Sequence, residues 1–275
     1  ASTNINITTM IVSSEGESVT SKTEASIGIG FLSGILIYIF IFMYGTMVMR
    51  GVIEEKTNRI IEVIISSVKP FQLMMGKIFG VSLVGLTQFI LWIILTLIIS
   101  TIAEFVLLDI NTVSSQTNNT NDFLIIQEIK SLTGGIDLIQ ICISFIFYFI
   151  GGYLMYSSLF AAIGAAVDNE ADTQQFILPI TVPLILAFIL IQPIIENPDG
   201  TLAFWMSIIP FTSPIIMMVR LPFGVELWEL ILSMSILILA FITSTYIASK
   251  IYRVGILMYG KKITYKELWK WMKYK

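Results

Sequence analysis

The chain has 275 residues, of which 56% are hydrophobic and 13% charged, with a mean hydropathy of +0.86; an ordinary water-soluble domain carries about 25% charge, so these proportions exclude one and indicate an integral membrane protein. There is no histidine, and one cysteine, Cys142, lies inside an apolar run, which removes His-based acid–base chemistry, Ser-His triads, Cys or His metal centres and a disulfide framework. The net charge of -3 says little, because in membrane chains the placement of charge carries the information and its sum does not.

Residues 1–26, ASTNINITTMIVSSEGESVTSKTEAS, are polar and β-prone and lack a signal-peptide pattern. They read as the end of an extracytoplasmic domain in a chain whose upstream portion is missing, with a processed mature N-terminus as the alternative. A transmembrane domain is expected over 27–249. Crossing a bilayer takes about 20 apolar residues, and five uncharged runs meet that length: 27–49, 78–103, 138–167, 176–195 and 230–249. The runs are continuous rather than alternating in segments of about 10 residues, which argues against membrane strands. The expected fold is an all-α integral membrane protein with five transmembrane helices.

Between the first two runs lies RGVIEEKTNRIIEVIISSVKPFQLMMGK, residues 50–77. Glu55, Arg59, Glu62, Ser66 and Lys69 recur at helical spacing, and Ile53, Thr57, Ile60, Ile61, Ile64 and Val68 recur on the opposite side. This pattern predicts a two-faced helix in which Glu55 pairs with Arg59 one turn on and which Pro70 brings to an end. A face of mixed charge suits a protein partner better than a lipid surface, which calls for a uniformly basic one. The segment is therefore read as a docking element.

Basic residues orient the chain. Arg50, Lys56, Arg59, Lys69 and Lys77 lie in the first connection, and Lys250, Arg253, Lys261, Lys262, Lys266, Lys270, Lys273 and Lys275 lie in the tail 250–275, while the remaining segments hold Lys22, Lys130 and Arg220. The positive-inside bias puts the first two groups in the cytoplasm, so the N-terminus is expected outside and the C-terminus inside, as an odd number of spans requires. The connection 104–137 is rich in Asn, Thr and Ser and reads as a solvated outer loop, in which the Asn118 N-x-T triplet carries no functional weight. The connection 168–172 is short and acidic.

Residues 196–226 are apolar but broken by Pro198, Pro210, Pro214 and Pro222. They predict two short helices that enter the outer membrane face and return, with freed backbone groups buried in protein or facing water; an apolar loop packed on the bundle is the alternative. In the tail, Thr264 and Glu267 form a capping box. Tyr265, Leu268, Trp269 and Met272 share one face and Lys266, Lys270 and Lys273 another, as in an interfacial helix on anionic lipid with Trp269 and Trp271 at headgroup level.

The sequence contains no G-x-x-x-x-G-K-[ST] loop, no G-x-S-x-G elbow and no H-E-x-x-H pair. It is not expected to be an ATPase or other enzyme by itself. Nor do its apolar runs hold the carboxylates or cations with which ion-coupled transporters build relays at the bilayer centre. A transporter without such a group needs an external source of work, and residues 50–77 offer the large cytoplasmic surface that receives it.

Three stretches, MYGTMVMRGVIEEKTNRIIEVIISSVKPFQLMMGKIFG, IPFTSPIIMMVRLPFG and KIYRVGILMYGKKIT, resemble the permease subunits of ABC-2 type exporters, in particular the sodium-exporter-like NatB branch, and the likeness covers nearly the whole chain. The resemblance implies that Glu54, Glu55, Arg59, Glu62 and Lys69 belong to an amphipathic cytoplasmic coupling helix seated in a cleft of a separate ATP-binding subunit. It implies that Pro210, Phe211, Ser213 and Pro214 form an outer re-entrant segment before the last span. It further implies a second permease in a homo- or heterodimer, ATP and Mg held by the ATP-binding subunit with no cofactor on this chain, residence in the bacterial cell membrane, and no nucleic-acid partner. Family members usually begin with a further transmembrane helix and a large extracytoplasmic domain, both missing here.

Gln88, Thr181 and Gln192, with Gln174 and Gln175 nearby, are candidate substrate-path groups, and Pro179, Pro183 and Pro193 can free backbone carbonyls in the fourth run. The alternative to a permease is a non-transporting scaffold or mechanotransmission subunit. A channel would need a polar pore lining, and an intramembrane enzyme an acid, base or metal set, that these runs do not supply. The residues do not name the cargo.

Overall fold

An apolar run in lipid must satisfy its backbone groups internally, and helices are how this sequence does it. The computed structural model describes residues 20–64, 67–111, 137–260 and 264–273, with side chains described within 25–64, 67–102, 137–260 and 264–273. Ser66, the connection around Asn118, Lys261, Lys262 and most of the segment 1–26 lie outside them. In chain order the helices are α1 (Thr20–Thr57), α2 (Ile60–Ile64), α3 (Pro70–Asn111), α4 (Leu138–Ala166), α5 (Gln174–Glu196), α6 (Thr201–Ile208), α7 (Ser213–Arg220), α8 (Leu227–Gly255) and α9 (Tyr265–Lys273), with single 3-10 turns at Glu170–Thr173 and Leu221–Phe223. There is no strand among the described residues. Five helices, namely α1, α3, α4, α5 (extended at its start by the first 3-10 turn) and α8, are long and apolar enough to cross a bilayer. The chain is an all-α integral membrane protein.

Two of these helices overshoot the bilayer. At about 1.5 Å per residue, the 38 residues of α1 span roughly 57 Å and the 42 of α3 roughly 63 Å, against a hydrocarbon core about 30 Å thick. The excess at the C-terminal end of α1 is the charged stretch beginning at Arg50. Glu54, Glu55 and Lys56 are good helix formers, so the first long helix continues through them instead of yielding to a separate amphipathic element. It stops at Asn58 and Arg59, where Arg59 has φ 55 and its amide bonds the Lys56 carbonyl. Pro70 does not end a helix. It occupies the first position of α3, where its missing N–H costs nothing and its fixed φ suits the turn. The predicted two-faced helix is thus two helix ends joined through the short α2, and Arg59, beyond the break, no longer lies one turn from Glu55.

Helix α4 is the central member, packing along both α1 and α8. Glycines permit the closest approaches, as small residues do where membrane helices cross. A Cβ on Gly164 of α4 would lie 2.6 Å from the Met49 carbonyl oxygen of α1, and one on Gly255 of α8 would lie 2.8 Å from the Ala165 carbonyl oxygen. Hydroxyls tie the helices further: Tyr44 donates to Gln88 Oε1 of α3 at 2.8 Å, Tyr153 to the Ile78 carbonyl at 2.8 Å, and Ser158 to Ser244 Oγ at 3.1 Å.

The proline-broken stretch forms two short helices, and α7 is buried along its whole length, enclosed by α1, α4, α5 and α6. It belongs to the core at one end of the bundle. At the other end α9 folds back on α8, with Trp271 buried beside Gly255. Of the two tail tryptophans, Trp269 is 60% exposed, while Trp271 packs inward at 4%.

These contacts set an expected outcome. Gly164→Ala should destabilise the purified protein in detergent by about 1–3 kcal/mol through overpacking, whereas Gly76→Ala, at a helical position with nothing within 4 Å, should be neutral or stabilising by about 0.5–1 kcal/mol. Thermal unfolding of the two variants side by side reads the difference, and equal shifts would contradict the close α1–α4 crossing.

Candidate functional site

The described inter-helix connections sort to two ends, and the basic residues gather at one of them. One end carries the α1–α2–α3 turn, the Asp168–Thr173 turn and the tail, linked by the contacts of Thr57 and Gly260 with Asp168 and of Tyr265 with Gln175. The opposite end carries the α5–α6 turn and α7, and Ser26 near the start of α1 donates there to the Pro222 carbonyl at 2.9 Å.

The charged end is built around a buried lysine. Lys56 falls three residues after Ile53 and four after Val52, both buried, so it sits on the stripe of α1 that faces the bundle and has 1% of its side chain exposed. A cation so placed needs an anion and hydrogen-bond acceptors. Its Nζ lies 3.0 Å from Asp168 Oδ1, donates to the Ala165 carbonyl at 2.9 Å, and stands 5.6 Å from the centre of the Tyr259 ring. Asp168 is a hub: its Oδ2 accepts from the Gly260 amide at 2.7 Å and its carbonyl accepts from Thr57 Oγ1 at 3.2 Å. The end of α1, the turn after α4 and the start of the tail are thereby held at one carboxylate. Tyr259 sits at this junction, and burial raises its phenol above the usual range, the Glu62 carboxylate adding to the rise and the Arg59 guanidinium opposing it.

A second clamp lies one residue earlier. Glu55 pairs with Lys77 of α3, Oε2 to Nζ 2.6 Å apart, with both side chains largely buried, and the same ammonium donates to the Gly51 carbonyl at 2.6 Å. This corrects the expected Glu55–Arg59 pair. The break at Asn58 removed the helical register, and the nearer cation is on α3.

Of the residues expected at the docking face, Glu54, Arg59, Glu62 and Lys69 are exposed and Glu55 is turned inward. Arg59 marks the turn, a non-glycine residue in the left-handed region, a conformation that costs about 1–2 kcal/mol. Lys69 stands apart, lining a cavity with Lys250 and Arg253. Among the four residues expected in a re-entrant segment, the Phe211 carbonyl accepts from Tyr156 at 2.6 Å, and Pro214 packs where a Cβ on Gly152 would come within 2.9 Å. Ser213 is buried and Pro210 half-buried, so this turn is locked to α4.

The candidate path residues are not brought together. Gln88 is occupied by Tyr44, Thr181 donates within its own helix to the Ile177 carbonyl at 3.1 Å, and Gln192 bonds Glu196 one turn on at 3.1 Å. The opposite end has an unforeseen polar centre. Arg220, buried at the end of α7, pairs with Glu229 at 2.9 Å, donates to the Pro198 carbonyl at 2.8 Å and to Ser207 Oγ at 2.6 Å. It lines a cavity of about 550 Å³ with Asp199, Glu226 and Glu229. No group of three or more acidic or Cys side chains among the described residues is arranged to hold a metal ion.

Comparison with known proteins places this geometry in a family. Residues 1–250 match the profile of the ABC-2 family transporter protein. Two relatives are similar along most of the chain: the uncharacterized protein YhaP of Bacillus subtilis is 29% identical over 255 residues, covering 92% of this chain and 57% of its own length. The uncharacterized protein MJ1024 of Methanocaldococcus jannaschii is 29% identical over 266 residues, covering 96% of this chain and 58% of its own length. The chain thus spans rather more than half the length of the curated relatives it matches, and no solved structure matches it. A bundle of membrane-crossing helices whose charged turn is clamped at one end, with a profile match over nearly its whole length, belongs to the ABC-2 transporter family of membrane proteins.

Proposed function

We propose that this chain is the membrane permease of an ATP-driven exporter, in which a separate ATP-binding subunit docks on the turn between α1 and α3 and drives the bundle from that end. The observation that carries the reading is the combination of an exposed turn of mixed charge, Glu54, Arg59 and Glu62, with a buried Lys56–Asp168 pair directly behind it. ABC-2 permeases generally work with an ATP-binding subunit in a membrane, and the charged turn is the surface here with the chemistry to receive one. A partner shifts a conformational equilibrium only by its differential affinity for the two states. Contacts on Arg59 and Glu62 meet that requirement when the turn moves, because the clamp carries its displacement to the start of α5 and to the tail.

In this reading ATP and Mg reside in the partner, the charged end faces the cytoplasm of a bacterial cell, and the Arg220 end faces outward. A second permease pairs with this one. The stretch of α3 from Ile90 to Ile102, whose side chains are almost all exposed, offers it room. Membership of the sodium-exporter-like branch rests on the three quoted sequence stretches, and the cargo is the part least constrained by the residues.

Two experiments test this. Glu54→Lys together with Glu62→Lys should weaken binding of the ATP-binding subunit by about tenfold or more, as reversal of complementary charges does, and lower ATPase stimulation in the reconstituted complex without shifting the unfolding midpoint; unchanged binding would refute the docking assignment. Arg59→Gly separates backbone from charge, since it relieves the left-handed strain but still loses binding if the guanidinium is a contact. For the clamp, Asp168→Asn strands a buried ammonium and should cost about 3 kcal/mol of stability, with most of it recovered in Lys56→Met/Asp168→Asn; additive losses in the double variant would show that the pair is not coupled.

A further inference from the structure

The cavity beside the foot of α3 has no role in the docking reading. It has a volume of about 500 Å³ and is lined by Lys69, Pro70, Phe71, Ser249, Lys250 and Arg253. Three cations converge there, two from α8 and one from the residue before α3, and none forms an ion pair with a carboxylate of the described residues. Lys250 and Arg253 lie near the C-terminal end of α8, where the helix dipole favours cations, and the stem of Lys250 leads its ammonium to 4.8 Å from the centre of the Tyr246 ring. Lys69 has no such explanation. It stands at the N-terminal end of a 42-residue helix, where the dipole disfavours a cation and favours an anion. An anion seated between Lys69 and the α8 cations would resolve the placement of all three.

The surroundings indicate what carries that anion. Phe71 is 50% exposed and Tyr246 61%, so aromatic rings flank the cations at the level where the apolar spans begin, as in the interfacial belts of membrane proteins. We propose that this cavity binds the phosphate of an anionic phospholipid from the leaflet at the charged end, with Lys69, Lys250 and Arg253 holding the phosphate and Phe71 and Tyr246 against the glycerol and upper acyl chains. Basic pockets between transmembrane helices suit such headgroups. A free phosphate offers the same oxygens but nothing for the aromatic rings to cover. Headgroup capture here is independent of whether a second subunit drives the bundle.

The test uses the full protein in phosphatidylcholine nanodiscs with and without phosphatidylglycerol, with bound lipid counted by native mass spectrometry. Wild type should retain phosphatidylglycerol over phosphatidylcholine, and Lys69→Gln/Arg253→Gln should lower that retention by about tenfold or more. Arg50→Gln/Arg59→Gln, an equal charge change at exposed positions of the same end, should not. Lys69→Gln alone, at an exposed position, should show a partial loss without any fold defect. Equal loss in the Arg50 and Arg59 variant would mean general surface attraction and overturn the proposal, as would full retention by Lys69→Gln/Arg253→Gln. Millimolar inorganic phosphate that displaces the lipid and binds equally well in phosphatidylcholine alone would assign the cavity to a free anion. Loss of ATP-binding-subunit affinity in Lys69→Gln/Arg253→Gln with lipid retention intact would give these cations to a protein contact. Either result would overturn the lipid assignment.

Discussion

A lysine with 1% of its side chain exposed cannot rest among apolar helices without a counter-charge, and the rest of the charged end follows from how Lys56 finds one. Its ammonium reaches across from α1 to Asp168, beyond the end of α4, and that carboxylate also receives the amide of Gly260. Three segments far apart in sequence are thereby joined at a single point. Breaking such a pair leaves a charge buried and uncompensated, which is far costlier than never having made it. The clamp thus ties the end of α1, just before the turn at Arg59, to Asp168.

The bundle repeats this device at its far end. Arg220 is 3% exposed and its partner Glu229 lies on α8, with the Pro198 carbonyl and Ser207 completing its contacts. Each end of the bundle therefore has a buried cation that crosslinks segments through a carboxylate, while the middle is held by apolar and aromatic packing, close glycine contacts and hydroxyls. In lipid the apolar effect does not press helices together, so packing and these polar links decide their arrangement. A force applied at the Arg59 end meets a stiff junction first, then an apolar and glycine-rich middle. That order suits an element that transmits motion.

The long helices were legible because composition alone excludes other ways of burying such runs; each expected span lies within a helix, apart from Val167 at the end of the third, and the two short helices appear where the prolines interrupt residues 196–226. The charged connection was only half legible. Its helical periodicity is genuine, but periodicity does not reveal a break, and Asn58–Arg59 supplies one. Pro70 can close a helix or open one, and local sequence does not choose between them; the length of the apolar run after it is what favours opening. Lys56 carried a signal that the charge-face pattern obscured, since it falls one turn after Ile53 on the apolar side of α1, and a cation on an apolar stripe demands a partner in another segment. Which segment, the short acidic connection at Asp168, is a tertiary fact. The packing of Trp271 was hidden for a related reason: nothing in an amphipathic tail shows that Gly255 of α8 leaves room for an indole.

The account stands on the charged turn and the Arg220 end lying on opposite sides of the membrane, the turn in reach of the cytoplasm. Cysteine labelling measures this directly. In a Cys142→Ser background, Arg59→Cys and Thr201→Cys place single thiols at exposed positions of the two ends, to be treated with a membrane-impermeant maleimide in intact cells and in inverted vesicles. The account predicts labelling of position 59 only in inverted vesicles and of position 201 only in intact cells. Labelling of position 59 from outside the cell, or of both positions from the same side, would contradict it.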